Sequence, residues 1–394
     1  MLYDPAAAIS AQHRTCYCQR SVTNAAGVVT VRRAVDGSGA SLGGIATCGS
    51  AWTCPVCGLR LAARKQADVE AAMKAHIAAG GYVFLMTCTF PHERDGRELS
   101  DMMGRMADAR RRMAQSKTYR RVLGKGVRTG SITALEVTWG DAHGWHPHTH
   151  TLLFVTPDAF GETREVDDGR LLSRAIDELK AAWYDALLRS GLCDPMQRSD
   201  VLARGLDIRG GQYAADYVSK FGRDAKWGLS REVSMQATKV GGGLKGAHPM
   251  QLVEWAAAGD GQAAALFREY AAAFKGRSLL QWSPGLRATL GLDEERPDDE
   301  LAAAALPEEE VIAGISAEDL SALHARRMLG EFLAFIAEYC YVPETAQADV
   351  DDFMRYVREI PREASGFIRK RYHGSRGQQT YDPEKEAAHA AERV

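Results

Sequence analysis

Residues 144–154 read GWHPHTHTLLF, with histidine at every second place from 146 to 150 before the apolar tail. Side chains on a strand alternate between the two faces of its sheet, so His146, His148 and His150 project from one side, about 6.5–7 Å apart. The stretch SITALEVTW at 131–139 has the composition of a second strand, and GDAHG at 140–144 is a short turn. Together they predict an antiparallel hairpin. YVFLMTCTF at 82–90, rich in β-branched and aromatic residues and ended by a proline, predicts a third, buried strand.

Helical patterns surround these strands. From Arg60 to Ala79, Val69, Met73 and Ile77 fall four apart on one face and Gly80-Gly81 supply the stop. Further helices are expected over about 99–123, 170–190 and 211–222. The order of elements predicts an α+β domain, a central antiparallel sheet packed with helices. Beyond residue 230 the chain reads as mostly helical and alanine-rich, interrupted by GGGLKG and by DEERPDDE at 293–300, an acidic stretch with the character of a linker. A helix is expected to start near Ser316, capped with Asp319, and to carry Leu329, Phe332, Leu333 and Ile336 along one face.

Neighbouring imidazoles in the row can share one divalent ion, which a carboxylate from the adjacent strand would complete. Glu136 is the candidate, an acid among apolar and threonine neighbours where an uncompensated charge is costly. The alternative is a row of exposed strand histidines holding nothing; three in one row favour the metal site. Other metal enzymes carry an HxH pair, but lactamase-type hydrolases add an aspartate-histidine pair that HTHTLL lacks. Amidohydrolase barrels place theirs near the chain start, and cupins are all-β.

In YAADYVSK, residues 213–220, Tyr213, Tyr217 and Lys220 share one helical face. Tyrosines four apart are ordinary core residues; a lysine on the same stripe points instead to a phenol beside a cation. A phenol, with a pKa near 10, needs such a cation or a polarised phosphate to attack at neutral pH.

Five of the eight cysteines precede residue 58. Cys48, Cys54 and Cys57 follow a C-x5-C-x2-C pattern, and Cys16 or Cys18 is the fourth thiolate of an expected zinc site. Cys88, Cys193 and Cys340 read as core residues.

The net charge of −2 hides segregation: residues 105–128 hold nine lysines and arginines, among them Arg110, Arg111, Arg112, Arg120 and Arg121, against Asp108 alone. A second run is Arg369, Lys370 and Arg371. Such runs are either solvated helix faces or nucleic-acid contacts, and the five arginines are candidate DNA-binding residues. No apolar run reaches the roughly 18 residues of a membrane span, and the N-terminal MLYDPAAAIS is no secretion signal, so a soluble cytoplasmic protein is expected.

The ordered set FLMTCTFPH, LEVT, GWHPHTHTLLFV and YAADYVSK resembles the successive motifs of HUH endonucleases, specifically the rolling-circle replication initiators of bacterial plasmids. The resemblance covers roughly residues 45–225, and the CPVC segment is similar to one in that family. It implies an HUH nicking domain at 76–230, between an N-terminal zinc module at 1–75 and a helical region at 231–394. By the same resemblance His148 and His150 bind the catalytic metal, Mn or Mg, with Glu136, and His146 is an extra histidine. Tyr217 is then the nucleophile and Lys220 steadies phosphate or phenolate. Tyr213 stands where one plasmid subgroup has a glutamate, which suggests a second nucleophile. Implied partners are single-stranded and origin DNA with a host helicase and polymerase, since no GxxxxGK[ST] loop occurs. A rolling-circle transposase shares the same residues, and a zinc-containing DNA-binding regulator without activity is the alternative from another class.

Overall fold

The computed structural model of the 394-residue chain describes residues 2, 12–37, 39–91, 96–141, 143–166, 169–210, 247–304 and 309–361. The strands are β1 (Val28–Ala34), β2 (Ala40–Gly43), β3 (Tyr82–Cys88), β4 (Arg128–Gly140), β5 (Gly144–Val155), β6 (Arg164–Glu165), β7 (Leu171–Leu172), β8 (Leu206–Arg209), β9 (Leu280–Trp282) and β10 (Glu309–Ser316). The principal helices are α1 (Pro55–Ala78), α2 (Leu99–Gln115), α3 (Lys117–Val122), α4 (Arg174–Arg189), α5 (Pro249–Ala257), α6 (Gly261–Ala273), α7 (Asp298–Ala303), α8 (Ala317–Ala325), α9 (Leu329–Tyr339) and α10 (Pro343–Glu359). The chain is therefore mixed α and β, and its sheets are antiparallel.

The described residues form two compact units, one from those up to Cys16 and those within Cys48–Ala302, the other from those within Tyr17–Thr47 and those between Ala303 and residue 361. These do not follow the boundaries at 75 and 230 expected from the sequence. Short strands late in the chain cause the difference: β9 joins the sheet of the histidine hairpin, and β10 pairs with β1.

The first unit is built on a five-stranded sheet of order β8-β3-β5-β4-β9. Burial along β5 alternates from Gly144 to Thr149 and is unbroken from Thr151 to Val155. The alternating part leaves the histidine face half open. On its opposite face Trp145 stacks on Tyr270 of α6, with ring centroids 6.2 Å apart. The apolar tail is covered on both faces; Phe154 meets the edge of His76 on α1, whose Nε2 lies 3.0 Å from the Val155 carbonyl. A fully buried side chain such as Phe154 or Leu153 stabilises the sheet by roughly 1.5–3 kcal/mol.

α1 starts at Pro55, directly after Cys54, because proline fits the first helical position, where no N–H is required. Val69 and Met73 are buried as expected, but Ile77 is 55% exposed, and His76 takes the inward place near the helix end. The basic helix expected over 99–123 is two helices. Ser116 adopts an extended conformation and its hydroxyl accepts the Tyr119 amide at 3.0 Å, capping α3. α2 has no side-chain cap of its own; the carboxylate of Glu269 accepts the Leu99 amide at 2.7 Å, placing negative charge at the helix N-terminus.

The acidic stretch at 293–300 is anchored rather than free. Lys65, 3% exposed on α1, pairs with Glu295 and, at 2.9 Å, with Asp298 at the start of α7. Burying that ammonium requires compensating carboxylates. The expected helix after Ser316 does form a capping box with Asp319, but it stops at Arg326. Arg327 turns to φ 56°, and the chain resumes as α9.

The second unit is a three-stranded sheet, β10-β1-β2, with α8, α9 and α10. Val29, Val31, Leu320, Phe332, Ile336, Val350 and Phe353 are fully or almost fully buried in its core. Leu329 and Leu333 pack against that core, as their spacing predicts.

Candidate metal centre

The hairpin brings Glu136 on β4 directly opposite His148 on β5, and His150 follows one pleat further. Directly opposed residues on an antiparallel ladder share a face, so the period-2 row and the single acid converge. Glu136 Oε2 lies 3.4 Å from His148 Nε2 and 3.3 Å from His150 Nε2. Those three side chains are 15–16% exposed and offer ligand atoms all within 4.8 Å of one another.

The outer ring nitrogens fix this orientation. His148 Nδ1 donates to the His146 carbonyl at 3.3 Å, which turns Nε2 toward Glu136. His150 Nδ1 lies 3.1 Å from Thr87 Oγ1 on β3, the residue paired with it in the ladder. Burial raises the Glu136 pKa, but the hydrogen bonds and charges of His148 and His150 outweigh it and hold the carboxyl well below its ordinary range. Two inward ring nitrogens and a carboxylate at these separations need a proton or a cation among them. Two imidazoles with one carboxylate suit a first-row divalent ion.

His146 stands outside this trio: its Nε2 lies 2.7 Å from Thr89 Oγ1. A residue not singled out by the sequence is His248. A bridge between Trp139 and Ala247 carries it to the sheet, where it caps α5 by accepting the Met250 amide at 3.2 Å. Burial lowers its pKa to about 4 against the upward pull of Glu136, so it is neutral beside the acid. The detectable signal was HPMQ, a capping residue followed by proline and, three places on, by glutamine. Tyr213, Tyr217 and Lys220 lie outside the described residues.

Cys18, Cys48, Cys54 and Cys57 form a second group, with all four sulfurs within 4.8 Å of one another. Cys16, the other candidate for the fourth position, is not in it. Four thiolates at such separations fit one tetrahedral ion. Of the remaining cysteines, Cys88 and Cys340 are buried as expected, whereas Cys193 is only partly buried.

The arginines of the basic run divide. Arg110 departs from the solvent: its guanidinium donates to Thr133 Oγ1 at 3.1 Å, on the sheet face opposite the histidines. Arg111 and Arg112 pair with Asp108, and Arg121 pairs with Glu178. Arg120 is exposed.

Compared with known proteins, the chain matches the replication protein family over residues 42–169. Within the matched segment lie Cys48, Cys54, Cys57, Glu136, His148 and His150, while Cys18 and the tyrosine motif lie outside it. The chain is 28% identical to "Protein rep" of Streptomyces lividans over 318 residues, 68% of each protein. It is also 31% identical over 190 residues to a "Neomycin resistance protein" of Streptomyces cyanogenus, covering 42% of this chain and 43% of that relative. No solved structure matches the chain. Among the described residues, no helix is long and apolar enough to cross a membrane.

Proposed function

We propose that the chain initiates rolling-circle replication of a plasmid by nicking one strand at an origin, through HUH-type chemistry. The observation that carries this reading is the convergence of Glu136, His148 and His150 on neighbouring strands inside the replication-protein segment. The sequence motif YAADYVSK, with its lysine-flanked tyrosines, supports it.

In this reading Glu136, His148 and His150 hold a divalent ion, Mn or Mg. When bound, that ion polarises the scissile phosphate and offsets the charge that builds on it. Thr87 and the His146 carbonyl hold the two imidazoles with Nε2 inward. Tyr217 supplies the attacking oxygen: a bond forms between the phenolic oxygen and phosphorus, the bond from phosphorus to the 3′-oxygen breaks, and the phenolic proton is lost to solvent while the leaving oxygen gains one. The products are a 5′-phosphotyrosine and a free 3′-hydroxyl that primes synthesis. Lys220 steadies the phenolate or phosphate. The ester bond is exchanged rather than hydrolysed, so a later attack by a 3′-hydroxyl rejoins the strand without ATP, and Tyr213, four residues before Tyr217 in the sequence, acts as a second attacker.

Cys18, Cys48, Cys54 and Cys57 hold zinc in a structural role. A host helicase and polymerase complete the cycle. The test is incubation with labelled single-stranded origin oligonucleotides and Mn or Mg, followed by denaturing electrophoresis. A covalent adduct that disappears in Tyr217→Phe is the expected result; wild-type adduct levels in that variant would remove Tyr217 from the role, and no adduct with any origin strand would overturn the reading.

A further inference from the structure

One cavity lies apart from the three-residue metal centre. It has a volume of about 410 Å³ and is lined by His13, Arg14, Ser50, Thr53, Lys275 and Arg277, among others. That size lies in the range of ligand-binding clefts. Four of those six side chains are basic. The cavity also touches Asp298, but that carboxylate is already engaged by Lys65 at 2.9 Å. Arg14 and Lys275 are exposed and have no acidic partner among the described residues. Burial, then the charges of Lys275 and Arg14, lower the pKa of His13, consistent with the three groups facing one another.

The lining also includes two hydroxyls of a short chain. Thr53 Oγ1 lies 2.6 Å from Ser50 Oγ and 2.9 Å from Thr15 Oγ1. Such hydroxyls can rotate to donate to an anionic oxygen. The segment that carries Ser50 and Thr53 is held between Cys48 and Cys54, so the four-cysteine group fixes that part of the lining at both ends.

We infer that this cavity binds backbone phosphates of the single DNA strand on which the protein acts, as a positioning subsite separate from Glu136, His148 and His150. The inference rests on the reading of the chain as a replication protein that acts on DNA, and it adds the place where the strand is gripped. Arg14 and Lys275, without acidic partners among the described residues and beside hydroxyl donors, match a phosphodiester, and the one carboxylate in the described lining, Asp298, is already taken by Lys65.

The experiment uses the full chain and a 5′-fluorescein-labelled 20-nucleotide oligodeoxythymidylate, read by anisotropy with no added divalent metal so that nicking does not enter. Arg14→Glu combined with Lys275→Glu changes two exposed residues and is compared with Arg164→Glu combined with Arg355→Glu, an equal charge change elsewhere. Unaltered circular dichroism and zinc content establish that both variants are folded. The expected result is at least tenfold weaker binding by the first pair. The slope of log affinity against log salt should also fall by about 1.4, the value for two phosphate contacts on a single strand. Binding within twofold of the parent, or equal weakening by the control pair, overturns the inference. So does competition by millimolar inorganic phosphate, at matched ionic strength, strong enough to displace the oligonucleotide, because the site would then be one for free phosphate. A chain that binds through Arg14 and Lys275 yet forms no adduct with Mn or Mg keeps the inference and refutes the nicking chemistry, so the two failures are distinct.

Discussion

Glu136 and His148 face each other across one rung of the β4–β5 ladder, with Oε2 and Nε2 3.4 Å apart. That rung brings the one acid of its strand to the imidazole row. Glu136→Gln keeps the shape of the side chain and removes its charge. Manganese affinity, measured by isothermal titration calorimetry, should fall at least about tenfold with the circular dichroism unchanged. Unaltered affinity would take Glu136 out of the ligand set. Replacing both His148 and His150 by alanine should remove metal binding and nicking together in a folded protein.

Thr87 and Thr89 provide an internal comparison. Thr87 meets Nδ1 of His150, a member of the trio, and Thr89 meets His146, which stands outside it. Thr87→Val should therefore weaken manganese binding by about 10–100-fold, the usual effect of removing a group that orients a ligand. Thr89→Val should leave it nearly unchanged. The opposite order would make His146 the ligand in place of His150.

The cysteine group is expected to contain zinc that contributes directly to folding. Cys54→Ser and Cys57→Ser should each lower the zinc content found by mass spectrometry and reduce the midpoint of thermal unfolding. Purified protein without zinc, and with freely titrating thiols, would contradict this assignment.

His248 gives a pH dependence with a definite sign. Its pKa is lowered from 6.5 to about 4 in the folded chain, so between those values the unfolded chain binds more protons. Stability is therefore fully present above about pH 6.5 and is lost as the pH falls through 4. Glu136, whose carboxyl is also depressed, adds a loss that begins as the pH falls through the ordinary carboxylate range and continues below it. His248→Asn retains a residue able to cap α5 and removes the titration. Urea unfolding between pH 7 and 4 should show a shallower decline for the variant than for the parent; parallel curves would exclude the effect.

The hairpin and the clustering of Glu136, His148 and His150 were legible because both depend on a local period of two. Once His148 and His150 share a face, a two-strand register is enough to deliver Glu136. The cysteine spacing and the Ser316–Asp319 cap were equally local. What escaped were features set by distant parts of the chain. β9 and β10 are short and carry no period long enough to separate them from helix, and their strand identity comes from pairing with β4 and β1. Arg110 read as part of an exposed basic face, but Thr133 offers it a partner beneath the sheet. His248 reaches Glu136 only because Ala247 bridges to Trp139.

The closure of each sheet by a late strand has a consequence for synthesis. The β4–β5 hairpin joins neighbours in the chain, whereas β9 meets β4 across about 150 residues, as in the 152-residue separation of the Ser131–Ser283 hydrogen bond, and β1 waits for β10. Contacts of such long range form slowly, because the loop must be closed before any pairing rewards it. On the ribosome Glu136, His148 and His150 can therefore come together while β1 still lacks its β10 neighbour and β4 its β9 neighbour. A chain interrupted before residue 280 would present open strand edges, which invite pairing with other chains, so truncated products should aggregate rather than persist as miniature enzymes.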